Sequence, residues 1–190
     1  QDGEAVEAYY FSTSAGVTST DEIWGSDEAA PYLRSVPCKF DEEEPWSSWI
    51  VELPWKMLED RIREKGEGTV LRSVTVTRRS ESGAATALEA VSDKDSCIIE
   101  NEYEIRKFLA PVNCMITEKD GTETAGGSLL PSAYFELERT QNGNLQVRGK
   151  GYGHGVGMSQ TGADKMAEQG YDYREILDYF FRNITVENLG

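Results

Sequence analysis

Between Gly149 and Gly157 every second residue is a glycine, in the run Gly-Lys-Gly-Tyr-Gly-His-Gly-Val-Gly. A backbone with no side chain at alternate positions lies flat and approaches another surface closely, and it takes dihedral angles closed to other residues. The loop-forming positions are Gly151, Gly153, Gly155 and Gly157. Only Lys150, Tyr152 and His154 project polar groups, with Ser159 and Gln160 just beyond. His154 is the chain's single histidine. Met158 to Gln169 reads as a helix, whose first turn leaves N–H groups without intrahelical partners. The run therefore presents a histidine on a glycine platform beside a helix N-terminus. The plainer reading is tight packing around a hydrogen-bonded histidine. The spacing matches neither GxGxxG within a βαβ unit nor GxxxxGK[ST], so a nucleotide fold is not indicated.

The rest of the chain alternates short strand and helix signals. Glu4 to Ser12 is an aromatic stretch that suits a strand, followed by a Ser/Thr-rich turn over Ser12 to Thr20. Asp21 to Val36 holds Trp24 and a short buried segment, and Lys39 to Glu44 reads as a solvated acidic loop. Trp49 to Leu53 is a strand, and Pro54 sits where a helix carrying Trp55, Leu58 and Ile62 begins. Val70 onward and Ala85 onward form a hairpin turned at Gly83. Glu100 to Leu109 is a short helix, and turns follow at Gly121 and Gly126–Gly127. Tyr134 to Leu137 is a strand, joined through the hairpin signal Asn142–Gly143 to the strand from Leu145. A last helix covers Tyr173 to Phe181. The class is α+β, with mixed sheets and short helices in one domain over residues 1–190, or two small lobes around a groove.

At 190 residues the chain buries enough surface to fold without staples, and its formal net charge is −15. That charge argues against nucleic acid, whose phosphates call for clustered Lys and Arg. It equally opposes an anionic membrane surface. A neutral polysaccharide or a small ligand remains compatible. Cys38, Cys97 and Cys114 are three in number and widely spaced, which fits three reduced thiols or one disulfide plus a free thiol. With one histidine there is no local Cys/His zinc set. No apolar run reaches the ~18 residues of a membrane helix and no signal peptide is visible. A start at Gln1 without methionine suggests a processed or truncated product.

The stretch from Gly149 to Tyr179, GKGYGHGVGMSQTGADKMAEQGYDYREILDY, resembles the closing signature of the stage II sporulation protein D family, which includes amidase-enhancer proteins of the cell wall. Other segments agree in order. Tyr9 to Ser19 (YYFSTSAGVTS) resembles the family's strand and S-T-[SA] turn. Trp24 with Pro31 to Val36 (PYLRSV) resembles its W…PYL-x-S-V segment. Ile105–Arg106 and then Ser128 to Leu137 (SLLPSAYFEL) resemble its late R…L-x-S-x-x-F region.

The resemblance implies a bacterial lytic transglycosylase that cuts MurNAc–GlcNAc bonds of peptide-denuded glycan strands and leaves 1,6-anhydro ends. Such a reaction needs one carboxyl group acting as acid and then base, with the sugar 6-hydroxyl as nucleophile. The family's glutamate lies in an A-x-E-M-P segment upstream of the S-T-[SA] strand. No such segment occurs here, and neither Glu4 nor Glu7 precedes Met-Pro. The expectation is a catalyst before Gln1 and an inactive isolated chain. The alternative is a glycan-binding amidase-enhancer module without catalysis.

What the chain itself contributes is then substrate platform and support. Ser12, Thr13 and Ser14 set hydroxyls beside the expected glutamate, or simply cap the turn. His154 hydrogen-bonds that glutamate or a sugar hydroxyl. Ser159 and Gln160 cap the helix or bind sugar. Tyr152, where many relatives carry Trp, stacks on a pyranose or packs in the core. Phe11 occupies a position that is often His in the family, so no metal site is expected, and no cofactor. Trp24, Trp46, Trp49 and Trp55 read as core. The implied partners are peptidoglycan glycan strands, and a cell-wall amidase or other sporulation proteins. The implied location is outside the cytoplasmic membrane, with the parent protein anchored by an N-terminal segment.

Overall fold

The computed structural model describes residues 5–26 and 28–187. The expected strand start at Glu4 lies outside the described residues. In chain order the strands are β1 Tyr10–Phe11, β2 Trp49–Leu53, β3 Leu71–Arg79, β4 Ala85–Ser92, β5 Ser96–Glu100, β6 Met115–Glu118, β7 Glu123–Ala125, β8 Phe135–Arg139, β9 Leu145–Gly149 and β10 Met158–Ser159. The helices are α1 Trp55–Glu64, α2 Glu102–Phe108, α3 Gln160–Glu168 and α4 Tyr173–Phe180, with 3-10 turns at Asp21–Trp24 and Pro45–Ser47. The class is α+β, as the alternating signals indicate.

Three sheets carry the fold. An antiparallel sheet of five strands runs β7-β6-β2-β9-β8, a second runs β3-β4-β5, and β1 pairs with β10 in parallel. In β2 the alternation of Trp49, Val51 and Leu53 turns those three side chains inward, as a period of two requires. Helix α1 adds Leu58 and Ile62, spaced four apart on one face, to the same core. The β8–β9 turn at Asn142–Gly143 closes with Gly143 at φ 80°, the left-handed geometry that glycine tolerates.

The buried apolar side chains form two clusters. The larger joins β2, β6, β8 and β9 to α1, α2 and the β3–β5 sheet, with Leu53, Leu88, Ile105 and Val147 fully enclosed. The smaller lies under α3 and α4 and gathers Ile23, Leu33, Val156, Met166, Phe180 and Phe181. The glycine run connects them. Gly149 pairs with Trp49 in the first, and Val156 is buried in the second.

Several segments depart from the sequence expectation. The N-terminal aromatic stretch pairs only at Tyr10–Phe11, because its partner β10 is itself two residues long. The helix expected from Met158 starts at Gln160, since Met158–Ser159 extend to meet β1 and Ser159 becomes the N-cap. β5 was hidden in the short run Ser96–Glu100, and α2 starts two residues later than read, capped by Asn101. The turn at Gly121 joins two strands, β6 and β7, that carry little alternation. All three cysteines are free, Cys38 buried and the others half-buried. No helix among the described residues is long and apolar enough to cross a membrane.

Candidate functional site

The glycine run lies flat against the N-terminal segment. Thr13 and Tyr152 exchange backbone hydrogen bonds at 3.1 and 2.8 Å, Gly153 N–H donates to Pro131 O at 2.8 Å, and Ser19 N–H donates to Gly155 O at 2.6 Å. The glycines are the price of this closeness. A Cβ on Gly151 would stand 2.8 Å from Thr13 O, and one on Gly157 would stand 2.2 Å from Tyr9 O. All four loop-forming glycines also hold positive φ, between 74° and 114°. With the bare edge turned to Tyr9–Ala15, the projecting edge is left to Tyr152 and His154.

The Ser/Thr turn and the start of α3 are tied together by a group that lay unmarked in the sequence. Asp41 is 1% exposed. It corrects the reading of Lys39 to Glu44 as solvated surface. Its carboxylate accepts the Ser14 N–H at 2.7 Å, the Ser14 hydroxyl at 2.7 Å and the Ser159 hydroxyl at 2.6 Å. The Thr161 hydroxyl and the Cys38 thiol lie at 3.3 and 3.6 Å. Thr161 has one hydroxyl hydrogen, and the Ser12 carbonyl at 3.0 Å is its nearer acceptor. The Ser159 oxygen also caps α3 by accepting Gly162 N–H at 3.2 Å. No cation pairs with Asp41 among the described residues. Its charge is held by converging dipoles and by the helix N-terminus. Burial, and then the nearby Asp41 charge, push the Cys38 thiol up to about 12, so it stays protonated and unreactive.

Ser14 and Ser159 are thereby buried supports, with Thr13 buried beside them. Ser12 is half-buried, and its carbonyl accepts Thr161 N–H at 3.0 Å. Gln160 is exposed at the start of α3 and does not join this network. Asp41 and Thr161 were both missed. Thr161, two residues past the N-cap, could have been found from the capping pattern, whereas no local pattern distinguishes Asp41 from its acidic neighbours.

His154 is half-buried between rings. It meets Trp24 and Phe11 edge to face, with centroids 5.1 and 5.8 Å apart. Its Nδ1 accepts Val156 N–H at 3.1 Å, which places the proton of the neutral ring on Nε2. Desolvation, followed by the positive charge of Arg106, lowers its pKa, while a hydrogen bond to the Tyr10 backbone opposes them. His154 is therefore neutral at neutral pH.

Two clefts flank this projecting edge. One, of about 460 Å³, is lined by Trp24, Glu22, Arg78 and Asn101 among others. The other, of about 430 Å³, is lined by Trp46, Tyr152, Arg106 and Ser128 among others. Trp24 is 36% and Tyr152 42% exposed. Trp46 meets Tyr152 edge to face at 4.6 Å. Trp24 and Trp46 thus wall clefts, each on a 3-10 turn, and Trp46 also packs against the larger core, as read. Trp49 is buried, as read, and Trp55 half-buried under Arg139. Among the described residues no three His, Cys, Asp or Glu side chains converge as a metal-holding group.

A family model described as a domain of unknown function, DUF8618, matches residues 34–157. Stage II sporulation protein D of Bacillus amyloliquefaciens is 29% identical over 185 residues, covering 97% of this chain and 46% of that protein. The same-named protein of Bacillus subtilis is 28% identical over 184 residues, covering 96% and 46%. The amidase enhancer of Bacillus subtilis is 21% identical over 217 residues, covering 97% and 30%. The chain spans less than half the length of these relatives. With two-thirds of its length under one family model and nearly all of it aligned to the sporulation proteins, the chain belongs to the DUF8618 family and is a domain of the stage II sporulation protein D type.

Proposed function

We propose that this chain is the glycan-holding part of a peptidoglycan lytic transglycosylase. The parent protein would cut MurNAc–GlcNAc bonds of peptide-free strands to 1,6-anhydro ends, outside the cytoplasmic membrane. The observation that carries this reading is the projecting edge itself. A neutral histidine and an exposed tyrosine stand on a rigid bare backbone, with an aromatic-walled cleft on either side. Aromatic faces take the apolar faces of sugar rings, and fixed hydrogen-bonding groups between them set the ring's orientation. The relatives named for sporulation and for amidase enhancement support a sporulation or cell-wall role. The general acid is assigned, with the family resemblance, to an A-x-E-M-P segment of the parent protein, a pattern this chain does not contain.

The amidase-enhancer relative favours a second reading, in which the same surface binds glycan and stimulates a separate hydrolase. Digestion of peptide-free glycan strands by residues 1–190 and by an N-terminally extended form separates the two. Mass spectrometry reads the ends. Anhydro products from the extended form alone support the transglycosylase. Binding by both forms without cleavage, with faster release of stem peptides by an added amidase, moves the enhancer reading ahead.

A further inference from the structure

The cleft beside Tyr152 has an unusual floor. Trp46 and Tyr152 form one wall, with Thr124, Ser128 and Pro131 around the rest, and Arg106 lies beneath them. The arginine is 8% exposed. Its Nε donates to Leu130 O at 2.8 Å and its Nη1 to the buried carboxylate of Glu102 at 2.5 Å. Its Nη2 has no acceptor among the described residues. Among those residues, too, no buried side-chain nitrogen or oxygen is left without a partner. The unspent donors are therefore the part of Arg106 that reaches the cleft.

This is a narrow chemistry. Glu102 neutralises the net charge of the pair, so the cleft does not gather anions at random. What remains is the Nη2 group, a fixed and always protonated donor that bonds an anionic oxygen more strongly than a neutral one. Next to it stands an aromatic wall suited to a pyranose. In a strand of N-acetylglucosamine and N-acetylmuramic acid, the only carboxyl group borne by the sugars is the lactyl group of muramic acid. A stem peptide is attached through that carboxyl as an amide. The group is an anion only after the peptide has been removed.

Resting on the peptidoglycan reading above, we infer that Arg106 binds the free lactyl carboxylate of a muramic acid seated against Tyr152 and Trp46. The cleft thereby tells stripped strands from peptide-bearing ones. An amidated lactyl group offers Nη2 a neutral carbonyl in place of an anionic oxygen, and the exchange of a charge-assisted hydrogen bond for a neutral one weakens binding by roughly tenfold or more.

The test uses the 190-residue chain and a GlcNAc–MurNAc tetrasaccharide in two forms, one with free lactyl carboxylates and one with them converted to primary amides. Calorimetry gives the affinities. His154, as the only histidine, supplies a single ring signal by NMR that senses the Arg106 charge. The expected result is at least about tenfold tighter binding of the free acid, with the His154 titration moving upward when that ligand alone is bound. Arg106→Lys, which keeps a cation for Glu102, should narrow the preference, and Trp46→Ala should weaken both ligands alike. Equal affinity of the two forms for the native chain overturns the role of Arg106 while leaving glycan binding intact. Binding of neither overturns the glycan reading as well. The native-chain comparison decides the matter even where a variant fails to fold.

Discussion

Asp41 is an acidic residue in an acidic stretch, yet it holds two distant segments in place. Removing it strands the Ser14 N–H and the Ser14 and Ser159 hydroxyls in a buried space. Each orphaned group costs about 1–3 kcal/mol before relaxation. Asp41→Ala should lower stability by about 3 kcal/mol, read as a shift in urea midpoint with unchanged m-value. An Asp41→Ala protein with native stability would show that these bonds carry nothing. His154 leads to a pH dependence. Its folded pKa lies below the ordinary value of about 6.5, so the folded state resists its protonation. Stability from this group is present above about pH 6.5 and is lost as pH falls from there through the lowered folded pKa. The difference in melting temperature between native protein and His154→Gln should therefore shift against the native protein on acidification from pH 7.5 to 5. A difference that stays constant would place the histidine in an environment no different from water. The histidine and its platform were legible from the glycine spacing. Asp41 was not, because burial depends on which distant donors meet it, and that is decided by the fold.

At the scale of elements, strong local chemistry was readable and weak local chemistry was not. The β8–β9 hairpin announced itself through Asn142–Gly143, and α1 through Pro54 and the Leu58–Ile62 spacing. β5, β6 and β7 have three to five residues each, too short for a period to register, and they exist because a neighbouring strand presents free edge groups. α4 is fixed at its start. Asp172 accepts Arg174 and Glu175 N–H groups while Glu175 reaches back to the Asp172 N–H, a reciprocal cap. Asp172→Ala should cost about 1 kcal/mol in chemical denaturation. Because α4 places Phe180 in the smaller core, the loss should register in the global transition. If only local helix content falls, α4 is an appendage rather than part of that core.

Across the whole molecule the excess of acidic side chains matters more than any single ion pair. The ion pairs on the surface are mostly exposed, such as Lys56–Asp60 and Arg78–Glu100, and such pairs contribute little. Self-repulsion from a net charge of −15 opposes the compact state and is screened by salt. The melting temperature should rise by several degrees between 10 and 300 mM sodium chloride, measured calorimetrically at pH 7.5. A fall would mean that paired charges outweigh repelling ones. The assignment of an α+β class came from pattern alone. The existence of two clefts did not, because Trp24 and Trp46 look the same in a sequence whether they wall a cleft or fill a core.

The alternation of bare and projecting positions has a consequence for how this surface can vary. Gly151 and Gly157 are closed to any side chain by the backbone atoms they touch, while the exposed side chains at 150 and 152 are open to exchange, and position 154 only to a residue that still serves the Val156 N–H. The segment behaves like a typesetter's rack, in which the frame is fixed and the letters lift out. Diversification, natural or in a randomised library, is thereby channelled into a few interchangeable side chains, and a new specificity is reached by resetting one or two of them instead of rebuilding the loop.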